Sequence, residues 1–280
     1  KALKLEADQL LNQDITKAIV GRPVQYVGGN NQLAIKRMTQ ALEFAGIKEF
    51  EFVFEPVGAA IDYKHHFHQD QQFILIFDFG GGTLDISIID SNQDKIIANI
   101  GLPIGGDHFN SLIFTHFLAP YFGSKTTYGD KQLLLPRYIF EYLKDWFQIS
   151  LLKTDSFFGS LETFRYQSSN LSSLDNLYKL VQNNLGFSLY ETIEYSKKQL
   201  THKRLSQLVF NQRTIQFTEA ITRSQFQQLL NHDLESIDQS LNDALNQAGI
   251  KHLQIQAVAT TGGSSLIPIV KNLLIQKFPQ

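Results

Sequence analysis

The sequence predicts an α/β protein with mixed sheets flanked by helices, and three observations predict it. Strand-length apolar runs alternate with segments of helical period along much of the 280 residues. Phe73-Ile74-Leu75-Ile76-Phe77-Asp78-Phe79 and Leu84-Asp85-Ile86-Ser87-Ile88-Ile89-Asp90 are two such runs, joined by Gly80-Gly81-Gly82-Thr83 as a hairpin. A last apolar run, Ile255–Thr260, turns through Thr261-Gly262-Gly263-Ser264-Ser265 into a helical pattern over Pro268–Phe278.

The other elements follow in order. Residues 1–13 read as an amphipathic helix through Leu3, Leu5, Leu10 and Leu11, and Ala18–Val20 as a short buried strand ended by Gly21-Arg22-Pro23. In the loop Gly28-Gly29-Asn30-Asn31 the last asparagine can cap a helix over about 32–45, which closes at Gly46. Phe50–Phe54 is a strand, and Pro56 opens a helix to about Tyr63. The polar turn His65-His66-Phe67-His68-Gln69-Asp70 is the first candidate boundary. A third strand over 95–101 continues the hairpin, and Gly105-Gly106-Asp107 leads into a helix over 108–118 with Asp107 as its cap. Residues 120–190 are aromatic, rich in Ser and Asn and weakly periodic, which points to an insertion or subdomain with some long loops. Trp146, Tyr138, Phe140, Tyr142 and Phe147 are its candidate core. Ser188–Thr201 reads as helix, Leu208–Phe217 as a hairpin around Asn211, and Thr222–Gly249 as one or two helices.

The glycine corner is the chemical signal. Three successive glycines weaken a strand through backbone entropy, so a purely structural turn rarely uses so many. They let backbone N–H groups approach a bulky anion, and Thr83 adds a hydroxyl donor. The corner joins strand to strand, unlike the Walker and Rossmann phosphate loops, which open onto a helix. It reads as a phosphate-binding β-hairpin; the bland alternative is an ordinary glycine turn.

Composition narrows the function classes. The length allows two packed lobes, and 43% hydrophobic with 19% charged residues is ordinary for a globular chain. A net charge of −2 gives no footprint for nucleic acid or an anionic membrane, and no apolar run approaches a membrane span. The absence of cysteine excludes disulfides and thiolate metal sites and fits a reducing, cytoplasmic setting. His65, His66 and His68 read as surface residues rather than a metal site. The chain opens on a helical pattern without an initiator Met, as an excised piece would.

Glycine pairs or triplets at 80–82, 105–106 and 262–263 each sit at a strand end or before a helix. With Phe54-Glu55-Pro56-Val57-Gly58-Ala59-Ala60, Ile104-Gly105-Gly106-Asp107-His108-Phe109-Asn110, the stretch Glu191–Thr201, Ile221-Thr222-Arg223 and Thr261–Pro268, the chain resembles the nucleotide-binding domain of DnaK-type chaperones. This is the seventy-kilodalton heat-shock family, on the actin-like ATPase (ribonuclease H-like) fold. The resemblance covers nearly all of the chain outside about 120–187. Val20-Gly21-Arg22-Pro23-Val24 and the long insert make it most similar to the YegD-like branch.

The resemblance implies two lobes with the first incomplete: residues 1–70 as a partial first lobe, and 71–280 as the second with an inserted subdomain at about 105–222. It implies ATP or ADP with Mg²⁺ as cofactors. Asp78 would organise Mg²⁺ through its waters, Asp85 would assist those waters, and Glu55 would orient the attacking water or couple hydrolysis to lobe motion. Gly80, Gly81, Gly82 and Thr83 would cradle the β- and γ-phosphates, and Gly105 and Gly106 would approach them from a helix start. Glu194, Lys197, Lys198 and Thr201 resemble the adenosine-binding helix face, and Gly262, Gly263 and Ser264 the turn beside adenine and ribose. By spacing alone, Glu194 and Lys198 are a solvated i,i+4 pair.

Some positions depart from the family. Leu266 stands where an arginine packs on adenine, and Lys198 where that arginine's partner stands, so the stacking surface is apolar only. The first phosphate loop and its catalytic lysine, expected before Lys1, and a closing strand and helix, expected after Gln280, are not in this sequence. The implied function is the ATP-binding domain of a heat-shock-70-like chaperone that hydrolyses ATP with Mg²⁺ in the intact protein, this chain alone being weakly active or inactive. Nucleotide is the implied partner, with a client protein or co-chaperone as protein partner. The alternatives are a non-catalytic nucleotide-sensing or interaction module, and a small-molecule kinase on the same fold.

Overall fold

The computed structural model describes residues 1–23, 26, 30–58, 61, 72–93, 95–212 and 214–279. The strands among them are β1 (Lys17–Arg22), β2 (Glu49–Phe54), β3 (Phe73–Phe79), β4 (Leu84–Asp90), β5 (Lys95–Leu102), β6 (Thr127–Tyr128), β7 (Leu133–Leu134), β8 (Leu205–Gln212), β9 (Ile215–Thr222) and β10 (Ala257–Thr261). The architecture is α/β with mixed sheets and helices. The chain forms two compact units: residues 1–104 with 236–265 and 271–280, and residues 105–235 with 266–270.

In the first unit β1 pairs parallel with β2, across the helix Asn31–Ala45. That helix is capped by Asn30, whose side chain accepts from the Leu33 amide, one residue before the expected Asn31. Asn31 Oδ1 instead accepts from the Tyr26 amide at 2.8 Å. Gly46 ends the helix in the left-handed region at φ 94°, as a C-terminal glycine should. Residues 55–58 are helical after Pro56; the polar histidine turn at 65–70 lies outside the described residues.

The main sheet has the order β10-β3-β4-β5, with β10 parallel to β3 and an antiparallel meander through β4 and β5. Every residue of β4 is buried, so both faces of this strand are covered and its alternation hides no solvent side. On one face Ile74, Ile76 and Ile89 pack with Ile96, Ala257 and Ala259. Phe77 and Phe79, two positions apart on β3, are fully buried and meet edge to face at 5.7 Å. The C-terminal ends of the parallel pair β3 and β10 therefore lie side by side, carrying the glycine corner and the Gly262 turn.

In the second unit, Gly105 in extended conformation is the N-cap of the helix Gly106–Ile113. Asp107, expected as the cap, lies in the first turn, where a carboxylate favours the helix dipole. The hairpin β8–β9 turns after Gln212, so Asn211 is a strand residue, not the turn centre. Alternate β8 residues Ser206, Leu208 and Phe210 are buried beside the helix Gly186–His202.

The stretch expected to be an insertion or subdomain with some long loops is largely helical, over Arg137–Leu143, Trp146–Ile149, Asp155–Arg165 and Leu171–Gln182. Its core is mostly aliphatic, with Phe122, Phe157 and Tyr190 as its buried aromatics in place of the predicted set. Ile139, Leu143, Ile149, Leu161, Leu174, Leu177 and Leu180 are buried, whereas Tyr138, Trp146 and Phe147 are about half exposed. The side-chain caps Asp145, Thr154 and Asn170 start three of these helices, a signal that the aromatic composition masked.

Candidate functional site

In the first unit the strand register builds one polar row across the end of the sheet. Thr261 of β10, Asp78 of β3, Asp85 of β4 and Gly101 of β5 are successive partners. Paired residues project on the same face, so two carboxylates stand directly opposite each other, an arrangement that destabilises a sheet unless a cation or donor intervenes. Thr261 Oγ1 donates to Asp78 Oδ1, and Thr83 Oγ1 donates to Asp85 Oδ2 at 3.1 Å. In this arrangement the Thr83 proton is directed to Asp85. Gly101 leaves room beside that group: a Cβ there would lie 3.5 Å from Asp85 Oδ1.

The corner itself is open. Gly80 N–H donates to Thr83 O at 3.0 Å, closing the turn. Gly81 and Gly82 are exposed, and among the described residues no backbone hydrogen bond engages their amides. A Cβ on Gly82 would meet nothing within 4 Å, and on Gly80 only Thr83 O at 3.8 Å. None of the three adopts positive φ. The fold's own sterics thus do not require glycine at 80 or 82.

The turn after β10 does require glycine. Gly262 has φ 78°, and a Cβ there would stand 2.2 Å from Phe79 O. Ser264 Oγ donates to Gly80 O at 2.9 Å, so Gly262 and Ser264 fasten the start of the glycine corner from the neighbouring strand. Gly263 has open space around it.

Glu55, at the end of β2, is brought into electrostatic range of the row. Burial first, then Asp78 and Asp85, push its carboxyl above the ordinary value. Asp85 is likewise raised by burial and by Asp78, against the lowering hydrogen bond from Thr83. A raised carboxyl pKa favours the folded state below the unfolded value, and that contribution is lost as pH rises through the folded one. In EDTA, stability should therefore gain on acidification through the window above the ordinary carboxyl range. Asp85→Asn should flatten that gain, as urea unfolding against pH would show; an unchanged pH profile would remove the like-charge row.

No group of three or more His, Cys, Asp or Glu among the described residues is placed to hold a metal ion together. The carboxylates suit a hydrated hard cation shared with phosphate oxygens, because water and phosphate would complete an octahedral oxygen shell.

In the second unit Gly105 and Gly106 are buried at the start of their helix. Asn110, one turn further, donates through Nδ2 to Glu194 Oε2 at 3.0 Å. Lys197 Nζ lies 2.6 Å from the same oxygen and donates to Gly106 O at 2.9 Å. Lys198 is exposed and 3.6 Å from Glu194 Oε1, and Thr201 Oγ1 reaches back to Lys197 O. Burial pulls the Glu194 carboxyl up, but Lys197, Asn110 and Lys198 together hold it below its ordinary value. Leu266 is exposed.

The structure thus gathers Glu55, Asp78, Gly80–Thr83, Asp85 and Gly262–Ser264 in one unit. It gathers Gly105, Gly106, Glu194, Lys197, Lys198 and Thr201 in the other. Two residues escaped the sequence-based set, Thr261 and Asn110. Thr261 directly precedes the glycine pair, and a hydroxyl at a strand's carboxyl end was the available signal; Asn110 gave none, since its partner lies 84 positions away.

The family model described as Hsp70 protein matches residues 1–133 and 185–280. The interval between them contains the four helices from Arg137 to Gln182. The chain is 26% identical over 275 residues to the chaperone protein DnaK of Mycoplasma mycoides subsp. mycoides SC, across 97% of this chain and 38% of that protein. It therefore spans well under half the length of that curated relative. No helix among the described residues is long and apolar enough to cross a membrane. With the family match extending over most of its length, the chain belongs to the Hsp70 family.

Proposed function

We propose that this chain is the ATP-binding part of an Hsp70-type chaperone that binds Mg·ATP and Mg·ADP and contributes to ATP hydrolysis. The observation that carries this reading is the Thr261–Asp78–Asp85 row beside the exposed amides of Gly81 and Gly82. Those amides donate to phosphate oxygens, with glycine allowing a closer approach than any side chain would. Asp78, oriented by Thr261, would hold Mg²⁺ through its waters, and Asp85 would assist in orienting those waters. Mg²⁺, when bound, neutralises phosphate charge and polarises the γ-phosphoryl group. Glu55 holds its proton more readily than a free carboxylate, which suits it to orienting or deprotonating an attacking water nearer neutral pH. In the second unit, taken by itself, Gly105 and Gly106 are candidates for backbone approach to phosphate, and Glu194, Lys197, Lys198 and Thr201 for a helix face that meets ribose and base.

The two-lobe division at about residue 70, the YegD-like placement, a client or co-chaperone partner and a cytoplasmic location belong to the same proposal. They rest on the family match and on the motif and insert described above. A second reading, a nucleotide sensor without turnover, is favoured by the exposed Leu266 and Lys198 in place of a stacking arginine pair.

Isothermal titration with ADP decides between these readings and none. Micromolar binding in Mg²⁺ that weakens at least about tenfold in EDTA is the expected result. Phosphate release from ATP by the intact protein supports the ATPase, and binding without such release the sensor. Heat-free titrations in both buffers would refute nucleotide binding.

A further inference from the structure

Trp146, Phe147 and Phe187 put three aromatic rings on one outward face that the candidate nucleotide site does not use. They are 48%, 53% and 54% exposed. Trp146 is the hub, its ring centroid 6.1 Å from that of Phe147 and 5.5 Å from that of Phe187, with planes crossed at 81° and 78°. The fold holds these rings from behind. Asp145 caps the helix Trp146–Ile149 by accepting from the Phe147 amide, and Ile149 is buried. Gly186 is buried too, and a Cβ there would stand 2.8 Å from Trp146 O and 3.0 Å from Ile149 Cδ1. Glycine at 186 thus lets the helix Gly186–His202 close on the Trp146 turn, which sets Phe187 beside the indole. Exposed aromatic rings that touch one another on a fixed backbone mark an interaction surface.

We propose that this face docks an uncharged, proline-rich segment of a partner protein. Size argues against a second copy of this chain. Three half-exposed rings offer roughly 200–400 Å², at about 150–250 Å² for a whole aromatic side chain. Two copies face to face would bury about 400–800 Å², short of the roughly 1,200 Å² of a stable interface. Charge argues against a charged partner. Residues 134–184 hold five Lys or Arg and five Asp or Glu, and Arg137 and Lys144 are both met by Glu141, at 3.3 Å and 2.8 Å. The described elements behind the face are helices, so it offers no sheet edge to an added strand.

A small uncharged face leaves little binding energy once a flexible segment has been ordered. A polyproline II segment is already extended before it binds, and its pyrrolidine rings fit the right-angled corners on either side of the indole. Its carbonyls have no internal partner, and among the described residues no hydrogen bond takes the indole N–H of Trp146. Trp146 and Phe147 lie in the interval between the two segments that the Hsp70 family model matches, so the proposal does not depend on nucleotide binding.

Trp146 is the one tryptophan of the chain, so its fluorescence reports this face alone. The probe is a blocked peptide of three Pro-Pro-Leu repeats, with a Gly-Gly-Leu peptide and an uncharged helical Ala/Leu/Gln peptide as comparisons. The proline peptide should move the emission to the blue and saturate with a Kd on the order of 100 μM, weak as so small an interface must be. The glycine peptide should bind at least about tenfold more weakly. Phe147→Ala and Phe187→Ala should each weaken the proline peptide at least about tenfold. Phe44→Ala, at an exposed ring of the other unit, should leave it unchanged. Alanine is the best helix former, so both helices survive these changes, and unfolding midpoints near the parent's separate lost docking from lost folding. No emission change up to about millimolar peptide would overturn the proposal, as would unchanged affinity in both folded phenylalanine variants. Tighter binding of the helical peptide would overturn the choice of a proline segment. Emission that moves with protein concentration alone, with a doubled mass in sedimentation, would make the occupant a second copy instead.

Discussion

Replacing Gly262 by alanine is expected to cost this protein a large part of its stability. The added Cβ would lie 2.2 Å from Phe79 O, 2.5 Å from its carbonyl carbon and 2.9 Å from Gly80 N. All three obstacles are backbone, so no side-chain rotation relieves them. The residue also holds φ 78°, which costs a non-glycine residue about 1–2 kcal/mol by itself. Overpacking of this kind adds about 1–3 kcal/mol. Together these give a loss of roughly 2–5 kcal/mol, comparable with the whole margin of a small domain. Gly263→Ala is the internal control: nothing lies within 4 Å of its Cβ position and its φ is not positive. It should change stability by less than about 1 kcal/mol. Chemical unfolding of the two variants side by side checks the argument, and equal midpoints would contradict it. Because Gly262 presses on Phe79 and Gly80, the damaged variant should also lose the shape of the glycine corner.

Asp78→Asn is expected to move stability and binding in opposite directions. In the ligand-free protein Asp78 faces Asp85 across the register, and both raise Glu55. Removing one charge relieves repulsion worth a few tenths to about 1 kcal/mol. The hydroxyl of Thr261 keeps an acceptor, since an amide oxygen can replace the carboxylate oxygen it now meets. The unfolding midpoint should therefore stay or rise. Mg·ADP affinity should fall by about 10–100-fold, the usual cost of losing a partner of metal-bound water. A group retained at a cost to stability is the mark of a functional site. Both quantities can be read from one preparation by thermal unfolding and calorimetry. A variant that loses stability and keeps its affinity would make Asp78 a structural residue and remove the site proposed for Mg²⁺.

Much of the fold was legible because its signals are local. The runs 73–79 and 84–90 are apolar enough to be strands wherever they lie, and three glycines between them admit little except a tight corner. Gly46 after a periodic stretch marks a helix end for a reason internal to the residue, its tolerance of positive φ. The stretch 120–190 was misread because half-exposed aromatic residues blur the helical period, while its buried Leu and Ile positions carry the packing. The cap at Asn30 rather than Asn31 turned on which side chain the loop needed elsewhere, and Asn31 is drawn to Tyr26.

By itself the sequence determined the α/β class, the hairpin over 73–90 with the strand that continues it, the glycine corner and the residue types around that corner. Those follow from periodicity, backbone freedom and charge, which act over a few residues. Only the tertiary structure decided that Thr261 stands beside Asp78 and Gly262 against Phe79, across more than 180 residues of chain. It alone decided that, of two adjacent lysines on one helix, Lys197 is buried against Gly106 while Lys198 is left in water. Spacing assigns both to one face; which one is desolvated depends on what the chain folds over that face.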